Sequence, residues 1–64
     1  MSGQLVTIAA DTDASRLRVI VAEVLPGRDL QVCGGRLATL TLDADAARAV
    51  TTALGLRGIA WGWQ

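Results

Sequence analysis

Apolar residues recur along this chain first with strand-like and then with helix-like spacing, and the changes of rhythm mark its elements. Gln4 to Ala10, QLVTIAA, is a short apolar run containing β-branched residues, with a Gly before it and Asp11-Thr12-Asp13 after it. That pattern predicts a buried strand. In Ala14 to Leu25, ASRLRVIVAEVL, the residues Leu17, Ile20, Val21, Val24 and Leu25 fall on one helical stripe, while Arg16, Arg18 and Glu23 lie off it. Asp13 or Ser15 can accept from the free N–H groups of a first turn, and Pro26-Gly27 supplies a stop. Val19-Ile20-Val21 speaks for a strand instead, because β-branched residues lose rotamer freedom in a helix, at a few tenths of a kcal/mol each. Burying the aliphatic stripe is worth roughly 1.5 kcal/mol or more per side chain, so the helix is the stronger prediction. The rival is a second strand paired with the first through Asp11 to Ser15.

From Asp29 to Asp43, DLQVCGGRLATLTLD, two apolar runs flank Gly34-Gly35, which predicts a β-hairpin. Asp43 to Gly55, DADAARAVTTALG, then predicts a second helix. Asp43 is its N-cap, Asp45 faces the positive helix end, Gly55 stops it, and Ala46, Ala49, Val50, Ala53 and Leu54 form its apolar stripe. Ile59, Trp61 and Trp63 alternate with Ala60 and Gly62, so a final strand would place all three large side chains on one face. The predicted class is α+β: a small two-layer sandwich in which an antiparallel sheet carries both helices on one face, in the ferredoxin-like order βαββαβ. A four-stranded meander followed by one helix is the alternative. Residues 1–64 read as a single domain, without repeat, linker or low-complexity segment.

Composition sharpens this picture. The chain has 64 residues, and 52% are hydrophobic yet only 3% aromatic, with mean hydropathy +0.42, so its apolar mass is aliphatic. A domain of this size buries only about 60% of its unfolded surface and usually needs a disulfide, a metal or a partner chain. One cysteine, Cys33, and no histidine exclude an internal disulfide and a Cys/His zinc site within one chain, which leaves self-association. No run of about 18 uncharged apolar residues predicts a membrane span. The opening MSGQLVTIAAD lacks a basic leader region, so the expected location is cytoplasmic. Six acidic residues balance six basic ones, all Arg, and no net field recruits nucleic acid.

Candidate chemistry is sparse. Without His, Lys or Tyr a general base would have to be a carboxylate, and Cys33 has no neighbouring base in sequence, so no enzyme is expected and no cofactor is called for. Asp11 and Asp13 read as capping residues rather than cation ligands. Gly34-Gly35-Arg36 lacks the strand-to-helix setting of a phosphate loop. Cys33 reads as a small apolar residue, or alternatively as an intermolecular thiol. Leu5, Val6, Leu37, Leu40 and Leu42 put apolar groups on both faces of their strands, which predicts either a second covering layer or a binding patch. The candidate interface residues are therefore Trp61, Trp63, Ile59, Leu37, Leu40 and Leu42, with the tryptophans read either as core filling or as contact surface.

The strand ending at Asp11, the following helix, the hairpin and the second helix resemble in arrangement the ACT-type regulatory domains. The resemblance implies pairing through the sheets and a small molecule held at the interface. That family's Gly at the start of the first helix is replaced here by Ala14-Ser15, and no site is carried over. Three functions are thus in view. The first is a self-associating interaction or assembly module, homodimeric or larger, with another protein as the alternative partner. The second is a small-molecule-binding regulatory domain with its ligand between subunits. The third is an Arg-dependent nucleic-acid binder using Arg16, Arg18, Arg28 and Arg36, which zero net charge disfavours.

Overall fold

The computed structural model describes residues 4–28 and 30–64. Asp29, where the predicted hairpin begins, lies outside them, as do Met1 to Gly3, on which part of the leader reading rests. The elements run β1 (Leu5–Ala10), α1 (Ala14–Val24), β2 (Val32–Cys33), β3 (Ala38–Asp43), α2 (Ala44–Leu56) and β4 (Trp61–Trp63). The strands form one antiparallel sheet in the order β2-β3-β1-β4. The class is α+β, as the alternating pattern predicts. Ala14 to Val24 is helical, so the meander with one helix does not form. Among the described residues no helix is long and apolar enough to cross a membrane.

Strand alternation sets the core. Ile8 and Ala10 of β1 and Ala38, Leu40 and Leu42 of β3 join Leu17, Ile20 and Val21 of α1 and Ala46, Ala47, Val50, Ala53 and Leu54 of α2 in one buried cluster. Both helices therefore cover the same side of the sheet. Each stripe differs slightly from its prediction. Val24 and Leu25 are only half-buried, while α2 buries Ala47 and Thr51 in addition to its predicted face and leaves Ala49 half-buried. Thr51 is tolerated there because its hydroxyl donates to the Arg48 carbonyl oxygen at 3.1 Å, closing its hydrogen-bonding need within the helix.

Both helices start on aspartate caps. The Asp13 carboxylate accepts from the Arg16 N–H at 2.7 Å, and that of Asp43 accepts from the Ala46 N–H at 3.2 Å. The helix ends depart from expectation in an instructive way. Gly55 lies inside α2, and the stop is Gly58, at φ +70°. Its N–H donates to the Gly55 carbonyl and the Ile59 N–H to the Leu54 carbonyl, the bond pair of a Schellman termination. Ile59 then packs on the core, so the hydrophobic contact that fixes this turn is also in place. The hairpin likewise differs from a tight two-residue turn: residues Gly34 to Leu37 separate β2 from β3, and only Gly35 takes a positive φ, +147°.

Asp43 has a second partner. Arg28 donates to its other carboxylate oxygen at 3.1 Å, tying the loop after α1 to the start of α2. The backbone N–H of Ala46 and then the Arg28 guanidinium hold the Asp43 carboxyl below its ordinary value of 3.8. The unfolded chain thus takes up the proton first on acidification. The contribution of Asp43 is intact above that ordinary value and is lost as pH falls from there through the lowered folded value. Asp43→Asn keeps a good cap but removes this dependence, so thermal melts at neutral pH and near pH 3 should show a smaller drop in Tm for the variant than for the parent. The core has its own check. Leu54→Ala should cost about 2–5 kcal/mol in urea unfolding followed by circular dichroism, enough to unfold a domain this small. Leu56→Ala, on a side chain 83% exposed, should stay within about 0.5 kcal/mol of the parent.

Candidate interaction surface

The side of the sheet away from the helices is where a covering partner was expected. Leu40 and Leu42 cannot serve it: at 1% and 2% exposure they are core residues. Residues two apart on a strand share a face, and the register sets Leu40 opposite Ile8 and Leu42 opposite Val6, all on the helix side. The outer face holds Thr7 and Ala9 on β1 and Thr39 and Thr41 on β3, with Leu5 and Leu37 at its corners. The Thr7 and Thr41 hydroxyls hydrogen-bond across the strands at 2.8 Å. The centre of this face is uncharged but not greasy, with Asp43 following Thr41 at its end. Leu37 is exposed, while Ile59 is half-buried against the core.

The tryptophans lie elsewhere. Trp61 pairs with Ala10 and Trp63 with Ile8, which puts both indoles on the helix side of the sheet. There they sit on the edge strand, 37% and 60% exposed, outside the core cluster. Their rings meet edge to face with centroids 5.1 Å apart. Core filling is therefore not their role; Leu54, Leu17, Ile20 and the core leucines of β3 fill the space that the α2 alanines leave. A depression of about 320 Å³ between Trp63 and Ala44, Arg48 and Thr51 of α2 runs along this edge.

The backbone of β4 explains why the edge is open. Asp11 N–H donates to the Ala60 carbonyl and Gln64 N–H to the Thr7 carbonyl, each at 2.8 Å. Antiparallel pairing alternates, so the groups of Ala60, Gly62 and Gln64 turn toward β1 and those of Trp61 and Trp63 turn outward. Among the described residues no strand lies beyond β4.

The arginines do not form one patch. Arg28 is engaged by Asp43, and Arg57 donates to Glu23 at 2.7 Å and to the Ala53 carbonyl oxygen. Arg18 and Arg28 border a groove of about 340 Å³ between α1 and β2, floored by Val21, Leu30 and Val32. Arg16 and Arg36 lie outside it, on α1 and in the loop between β2 and β3. Cys33 is an exposed free thiol on β2, at the opposite edge of the sheet from the tryptophans.

Compared with protein-family models, with curated proteins and with solved structures, the chain matches none. A tryptophan pair at an edge contributes little to the isolated fold. Trp63→Ala in dilute protein should cost about 1 kcal/mol, the scale of the lost aromatic contact, when urea unfolding is followed by circular dichroism.

Proposed function

We propose that this chain is a non-enzymatic α+β module that associates with itself through the β4 end of its sheet, acting as an assembly or regulatory subunit. The observation that carries the reading is the exposure of Trp61 and Trp63 beside outward-facing backbone groups on an edge strand. Natural edge strands are commonly blunted by Lys, Pro or an inward charge, and Gly58 to Gln64 contains none of these. Tryptophan is enriched at contact hot spots because it buries a large rigid surface at low entropic cost. Equal numbers of acidic and basic residues leave no net repulsion between copies. The absence of His, Lys and Tyr supports a non-catalytic role. An exposed free thiol suits a reducing compartment such as the cytoplasm.

The groove bordered by Arg18 and Arg28 supports a second reading, in which a small anionic ligand with an apolar body binds against Val21 and Leu30. It lies on the β2 side of the sheet, away from β4. A rise in melting temperature with medium-chain carboxylates, lost in Arg18→Ala, would support it.

Self-association has a direct test in light scattering across a concentration series, read together with tryptophan emission. The expected result is a mass that falls on dilution as the emission moves to longer wavelength. A constant monomer mass up to millimolar protein, with unchanged emission, would overturn the reading.

A further inference from the structure

Resting on that self-association, we infer that two copies join β4 to β4 in antiparallel register about a two-fold axis through Gly62, merging their sheets into one. On β4 only Trp61 and Trp63 offer outward N–H and C=O groups, and this register lets each exchange both bonds with the other residue in the second copy. Moving the axis to Trp61 would bring Trp63 opposite Ile59, whose N–H is already given to the Leu54 carbonyl. The Gly62 axis is the register that uses every outward group.

Side-chain placement fits the same axis. Gly62 meets Gly62 of the second copy as a pair without hydrogen bonds between them, where the chains come closest, with Cα atoms roughly 4.5 Å apart. Trp61 of each copy then lies beside Trp63 of the other on the helix side of the joined sheet. The depression between Trp63 and α2 borders this seam. The segment from Gly58 to Gln64 bears no charged side chain, so the antiparallel alignment opposes no like charges. The exposed parts of the two indoles amount to roughly 200 Å² per copy, well short of the ~800 Å² per partner of a standard stable interface. The dimer is accordingly a reversible one, populated at high concentration.

Gly62→Cys in a Cys33→Ser background tests the register. A Cβ at Gly62 meets nothing within 4 Å in the single chain and the φ there is not positive, so the variant keeps the fold, which circular dichroism verifies. Cα atoms near 4.5 Å are within the range a disulfide spans, roughly 4.4–6.8 Å. Mild oxidation should move the variant from the 6.7 kDa monomer to twice that mass on a non-reducing gel. Ala60→Cys in the same background, two positions from the axis, should stay monomeric. As a second arm, Gly62→Asp and Gly62→Lys should each lose the self-association seen by light scattering, and an equimolar mixture should regain it. If the parent associates but Gly62→Cys cross-links no faster than Ala60→Cys, or the charged pair gives no rescue, the register is wrong while self-association stands. A parent that stays monomeric overturns both.

Discussion

Three alanines of α2, Ala46, Ala47 and Ala53, share a buried cluster with Ala10 and Ala38 of the sheet. That meeting of small side chains allows helix and strands to approach closely. The remaining volume is filled by aliphatic residues, and among the described residues no buried one is aromatic. The two tryptophans lie outside this interior, on the edge strand β4.

The sheet order carries this further. The helices pack on β1, β3 and β2 from one side, and β2 and β4 form the two edges. β2 is a two-residue strand with Cys33 exposed, a short edge of the kind that limits unwanted pairing. β4 is also short, at three residues, but carries no charge or proline. The contrast between the edges follows from a few residues, because the hydrogen-bonding parity of Ala60, Gly62 and Gln64 turns the tryptophan backbones outward.

Much of the fold was legible in local chemistry. The helical stripe of α1 outweighed its β-branched triplet because tertiary burial exceeds propensity, and Asp13 and Asp43 cap as their position suggested. Gly55 and Gly58 show where legibility stopped. Either glycine could end α2, and the choice fell to the one that lets Ile59 reach the core, a tertiary condition. Leu40 and Leu42 were misassigned to the interface because alternation within one strand does not tell which of its faces the helices will cover. The exposure of Trp61 and Trp63 was beyond sequence reasoning for a related reason: it depends on which strand lies at the edge of the sheet. Of the candidate interface residues, Trp61, Trp63 and Leu37 are exposed, whereas Leu40 and Leu42 are buried.

The Schellman turn at Gly58 has a consequence for the kinetics of contact. Only Arg57 to Ala60 join α2 to β4, and within them the Ile59 N–H is bonded to Leu54 while its side chain is anchored on the interior. β4 is thereby presented in its paired conformation before any encounter, and docking along it requires no prior ordering of the strand. Under the proposed self-association, encounter at this rim would be governed by diffusion and orientation rather than by a conformational step.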